Sequence, residues 1–188
     1  MRRIIATVLC LIPAVAHGQV QVGLNLGLRT RTDAGQRVNG TQLEGMIIAP
    51  HMGNWTPMAL LAFTQMRNAW PTGGAVRENG VEATLLFRRA IAGGLGWAAG
   101  PAIGYAAGCA SGGTGGITYG ATKCIQSFAD KGTVRPGYAL QLDWEKSNAR
   151  GAVFRTGLRA IGHTTASGSK TPKPAAWVGF TLPLVPQP

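Results

Sequence analysis

Seven charged residues fall on one parity of alternating, strand-like stretches: Arg29, Glu82, Arg88, Asp143, Glu145, Arg155 and Arg159. Apolar residues take the other parity, so the three carboxylates and four guanidinium groups share one face. Left unpaired in a confined interior, each would cost several kcal/mol; paired and hydrogen-bonded, the set forms a network. The expectation is therefore a plugged lumen crossed by Arg–carboxylate pairs. The alternative is a set of scattered, solvent-exposed charges on a soluble sheet.

Other chemistry has less to stand on. Downstream of residue 18 there are two histidines: His51 reads as lying at a tight turn and His163 at the opposite rim, so they cannot share a metal. A rim-active lipid-modifying enzyme needs His, Ser or Thr and a carboxylate together. His163, Thr164, Ser167 and Ser169 are close in sequence, but no acid accompanies them. The stretch Gly112-Gly113-Thr114-Gly115-Gly116 lacks the Lys and helix of a phosphate loop and reads as a flexible tip. No catalytic residue, metal or cofactor is assigned.

Residues 1–18 read as an export signal: Arg2 and Arg3, an apolar stretch from Ile4 to Val15, and a small-x-small site near Ala14–Ala16. Cys10 leaves with it. Cys109 and Cys124 remain, and in an exported chain an even pair implies a disulfide worth roughly 3 kcal/mol. The formal charge is +11, and the loss of Arg2 and Arg3 lowers it to +9. A basic exported protein can meet anionic headgroups or acidic glycans; export argues against nucleic acid.

The elements that must position these residues are strands. Only 13% of residues are charged and 28 are Gly, yet no apolar run is long enough for a spanning helix. Two-residue alternation recurs from Val20 onward and predicts eight strands over about 19–32, 41–50, 55–66, 81–91, 95–107, 137–145, 150–163 and 175–184. Between them, long connections alternate with tight ones, the sorting expected when every second connection lies on the same side of a membrane. Faces are clear on the first, fourth, sixth and seventh strands and ambiguous on the second and third.

Alternation alone does not separate a membrane barrel from a soluble one, because the two exchange inside and outside. The small face decides. In 95–108, LGWAAGPAIGYAAG, Leu95, Trp97, Ile103 and Tyr105 alternate with Gly and Ala. Glycine weakens a water-facing strand but suits an eight-stranded lumen with room for little beyond its own side chains. Trp55, Trp97 and Trp144 lie near tight turns and Tyr105 and Tyr138 near the third long loop, as interfacial girdles do. Pro101, in the middle of the fifth strand, is expected to need a bulge.

The signal, the eight strands, the long-short connections and the closing stretch Trp177-Val178-Gly179-Phe180-Thr181-Leu182-Pro183-Leu184 resemble small outer-membrane β-barrels of the OmpA/OmpX type. The resemblance implies an all-β, antiparallel, up-and-down transmembrane barrel over 19–188 with short periplasmic turns and long external loops. It also implies outer-membrane lipid and the outer-membrane assembly machinery as partners. Leu stands where the family's closing signal has an aromatic, and Val185–Pro188 trails the strand.

Eight bases lie in or beside the long loops: Arg37, Arg67, Arg77, Lys123, Lys131, Arg135, Lys170 and Lys173. Asp33, Glu78 and Asp130 oppose them. This excess suits the phosphates and acidic sugars of lipopolysaccharide, or another anionic partner. The reading is a monomeric, non-enzymatic barrel in the outer membrane. The alternatives are a lipid A acyl-modifying barrel enzyme and a soluble periplasmic lipocalin-like carrier.

Overall fold

The computed structural model describes residues 19–33, 36–69, 75–111, 134–149, 151–163 and 173–184. They form eight strands: β1 Gln21–Asp33, β2 Gln36–Ile48, β3 Thr56–Ala69, β4 Ala75–Ala92, β5 Leu95–Ser111, β6 Val134–Ser147, β7 Val153–His163 and β8 Lys173–Pro183. Each pairs antiparallel with its sequence neighbour, and β8 returns to β1 over Gln21–Arg29 to close the barrel. Closure leaves no edge strand with unpaired backbone groups.

Local sequence sets the tight turns. Gly93 and Gly94 join β4 to β5 with φ of 57° and 85°, and a two-residue hairpin with positive φ at both positions matches the twist of its strands. Between β6 and β7, Asn148 accepts from the Gly151 and Ala152 amides at 3.1 and 3.0 Å, which delays β7 to Val153 instead of residue 150.

At the opposite end the strands run further than alternation indicates. β2 begins at Gln36, β4 at Ala75 and β6 at Val134, and β5 ends at Ser111. Once both faces of a hairpin meet water, side-chain alternation stops marking the strand, while the partner strand still satisfies its backbone groups. The first connection, expected to be long over 33–40, thus shrinks to the residues between Asp33 and Gln36. Residues 112–133 and 164–172, which include Lys123, Cys124, Lys131 and Lys170, lie outside the described residues, as do 1–18. Cys109 is on β5, and its expected bridge to Cys124 lies beyond what is described.

Pro101 needs no bulge. Its register with β6 is unbroken, opposite Tyr138. Toward β4, pairing lapses between Thr84↔Ala102 and Phe87↔Ala99 and resumes in the same register. The missing proline amide is absorbed by this gap in one ladder, while the barrel's irregularity sits instead at Ala90/Ala92.

Large apolar side chains point outward on every strand. Leu26, Leu28 and Leu158 are 62%, 68% and 63% exposed, accompanied by Leu43, Phe63, Leu85, Ile103, Leu140 and Phe180. Inward, the lumen is filled. Met46, Ile48, Met58, Leu60, Leu86 and Ile161 form an apolar cluster with Ala98, Ala102 and Ala139, and buried charges occupy the rest. β2 and β3 were unreadable from sequence because they are apolar on both faces: Met46, Met58 and Leu60 inward, Leu43, Ile47 and Leu61 outward.

Candidate functional site: a charge network in the lumen

Alternation carries all seven charged residues to the inside. Arg29, Glu82, Arg88, Asp143, Arg155 and Arg159 are buried, and Glu145 is partly exposed at the short-turn end. An eighth member, Glu44 on β2, is 1% exposed, so among the described residues this set comprises four arginines and four carboxylates. Uncompensated charge there would be costly, and equal numbers of each sign avoid it.

The network is continuous along much of the barrel. Glu44 accepts from Asn25 Nδ2 at 2.6 Å and Gln42 Nε2 at 3.0 Å, and Arg159 donates to it through both Nη atoms. Arg159 Nε donates to Gln141 Oε1 at 2.8 Å, and Gln141 Nε2 donates to Asp143 Oδ2 at 2.6 Å. Asp143 also accepts from Arg88 Nε at 2.6 Å, and Arg88 continues to Glu145 at 3.1 Å and to the Gly94 carbonyl of the hairpin turn at 3.2 Å. Arg155 Nη2 ends the series 2.6 Å from Glu145 Oε2, a charge contact without hydrogen-bond alignment. Gln141 is the neutral link joining the two halves.

A separate group occupies the other end. Arg29 donates to both oxygens of Glu82, at 2.9 and 3.3 Å, and His163 Nε2 lies 3.4 Å from Glu82. His163 is therefore a lumenal residue. The acid missing from its sequence neighbourhood is Glu82, which is already committed to Arg29. Thr164, Ser167 and Ser169 lie outside the described residues. His51, at the short-turn end, shares a 2.7 Å hydrogen bond with Thr56. Among the described residues no three metal-ligating side chains converge.

Glycines make room for these groups. A Cβ on Gly96 would stand 2.5 Å from the Arg88 guanidinium carbon, and one on Gly104 would stand 2.6 Å from His163 Nε2. The bare face of β5 is thus the surface against which a buried guanidinium and an imidazole lie. Trp177 is also inside, 4% exposed, with the Arg159 guanidinium 5.7 Å from its ring centre.

The bases expected in loops sit mostly on strand extensions. Arg37 is on β2, Arg67 on β3 and Arg77 on β4, and Arg67 stands opposite Arg77 in the β3–β4 register. Arg135 and Lys173 begin β6 and β8 on the lumen-facing parity of Gln141 and Trp177. At the short-turn end a cavity of 630 Å³ opens, lined among others by His51, Thr56, Arg88, Glu145 and Arg155.

No protein-family profile matches the chain, and no curated protein resembles it significantly in sequence. Solved structures do. Neisserial surface protein A aligns over 91% of this chain and all of its own, with a TM-score of 0.51 at 9% identity. The Yersinia pestis outer membrane protein Ail in a phospholipid bilayer nanodisc covers 88% of this chain and all of its own at 11% identity, with a TM-score of 0.49. The crystal structure of Ail covers 88% of this chain and 97% of its own at 12% identity, with a TM-score of 0.46. The chain has the closed eight-stranded fold of small outer-membrane β-barrels.

Proposed function

We propose that this chain is a monomeric outer-membrane barrel with a plugged lumen and no reaction of its own, whose basic external end engages anionic surface molecules, lipopolysaccharide foremost. The observation that carries the membrane reading is the inversion of an ordinary protein: the exposed belt is Leu, Phe, Val and Ile, and the charges are inside. A soluble protein seldom exposes so continuous an apolar surface, whereas a barrel wall in hydrocarbon requires one. Paired lumenal charges support a plug over a pore, because Arg29, Arg88, Arg155 and Arg159 are each held against a carboxylate.

For the external end, the β3–β4 register supports anion binding. It sets Arg67 opposite Arg77 in the strand register, two of the eight bases that outnumber Asp33, Glu78 and Asp130 at this end.

Heat-modifiable gel migration combined with membrane fractionation tests the placement: a folded band that shifts on boiling, found in the outer-membrane fraction, is expected. Recovery as a detergent-free soluble monomer would overturn it in favour of a lipocalin-like carrier. Replacing the eight bases with Gln is expected to abolish salt-dependent lipopolysaccharide binding, and unchanged binding would remove that partner.

A further inference from the structure

Arg89 is a cation on an outer wall made mostly of apolar side chains. Arg89 follows Phe87 on the outward parity of β4, is exposed, and faces away from the lumenal network that Arg88 joins. Its cross-strand partner on β5 is Trp97, and Trp55 precedes Thr56, the β3 partner of Arg88. The guanidinium accordingly lies over the Trp55 ring, and Trp97, its register partner, packs against that same ring. The guanidinium carbon lies 5.9 Å from the Trp55 ring centre, and the two rings pack edge to face with centres 5.4 Å apart. Among the described residues no carboxylate or carbonyl accepts from Arg89. The irregularity at Ala90/Ala92, one residue further on, bends the strand just where this side chain emerges.

The position along the wall defines the environment. The outward residues Val81, Ala83, Leu85 and Phe87 precede Arg89, and the rim residues Phe63 and Tyr105 stand opposite Val81. Val81 to Arg89 is eight residue steps, about 26 Å of strand, and a tilt near 40° makes that about 20 Å along the barrel axis. Arg89 therefore lies near the short-turn end of the apolar band, with exposed Ile91 just beyond it, at the depth where tryptophans mark the boundary of hydrocarbon. Trp144 reinforces that boundary by donating its indole N–H to the Gly93 carbonyl at 3.0 Å.

We infer that Arg89, held over the Trp55 ring beside Trp97, is a binding site for the phosphate of a phospholipid headgroup in the leaflet on the short-turn side. A guanidinium offers a planar fork of donors that matches a phosphate, and the indoles fix its direction while packing against the glycerol and upper acyl chains. Free phosphate offers the same charge but nothing for the tryptophans to cover, so the lipid is the occupant. The inference rests on the membrane placement proposed above.

Full-length protein refolded in detergent and supplied with phosphatidylglycerol is examined by native mass spectrometry, alongside diacylglycerol of the same chains and inorganic phosphate as separate probes. One phosphatidylglycerol is expected to stay bound, with diacylglycerol lost and phosphate neither retained nor able to displace the lipid. Arg89→Gln is expected to weaken retention roughly tenfold, the scale of one charge-assisted contact. Trp55→Leu is expected to weaken it less, and Lys146→Gln, on the same rim, to leave it unchanged. Equal retention by R89Q and the parent, or preference for free phosphate, overturns the inference. Heat-modifiable migration confirms that each variant is folded. A parent chain that never enters bilayers would defeat the membrane placement itself, an outcome distinct from a barrel that inserts yet ignores Arg89.

Discussion

Glu44 on β2 and Arg159 on β7 are 115 residues apart in sequence and meet inside the lumen, both guanidinium Nη atoms engaging both carboxylate oxygens. Removing either partner alone strands a buried charge. Glu44→Leu or Arg159→Met is expected to destabilise the barrel by about 3–5 kcal/mol, and the double variant to recover much of the loss. Urea unfolding of lipid-refolded protein, followed by the heat-modifiable band, checks this; strictly additive single effects would show that the pair is not coupled.

The lumenal pairs also make a prediction about conduction. The parent protein is expected to be silent in planar bilayers. Replacing Arg88, Asp143 and Arg159 together by Ala is expected to give steady ohmic current, because it removes the side chains that cross the middle of the channel. Steady conduction by the parent would contradict the plug.

Gly96 tests the reason for the bare face of β5. Valine there forces the Arg88 guanidinium off Asp143, and a cost of about 1–3 kcal/mol is expected from overpacking. Ala99→Val, on the outward parity of the same strand, is expected to cost little. Equal effects in the same unfolding assay would mean that the lumenal side is not the crowded one.

On the outer wall, Leu140 lies mid-band on β6, between Tyr138 and Trp144, and is 53% exposed. Leu140→Arg is expected to cost about 2–4 kcal/mol in a bilayer, and Tyr138→Arg, nearer the rim, distinctly less. A depth-independent penalty would argue against hydrocarbon contact.

What could be read from sequence follows the contrast between faces. On β1, β6 and β7 most outward residues are large and apolar and most inward ones Gly, Gln, Asn or charged, with Ala139, Val153 and Ile161 as inward exceptions, so parity alone places Arg29, Asp143 and Arg159. β2 and β3 carry methionine and leucine inward, and the contrast disappears. Glu44 escapes parity for that reason, although a signal exists: the readable strands put four arginines on the inward face against three carboxylates, and burial favours a further acid. His163 was readable by parity as facing in, but its neighbour Glu82 lies 81 positions earlier in sequence, and only the closed barrel brings the two together. The far strand ends were unreadable because backbone pairing, with no apolar face to mark it, extends them.

The Glu44–Arg159 pair spans from one side of the cylinder to the other, so neither residue is neutralised until the wall has curled into a ring. A half-curled sheet would present bare guanidinium and carboxylate groups to the acyl chains. Assembly must therefore couple the zipping of β1 to β8 with the mating of opposite charges in one concerted step, and an open-seamed intermediate has no comfortable resting place within the bilayer.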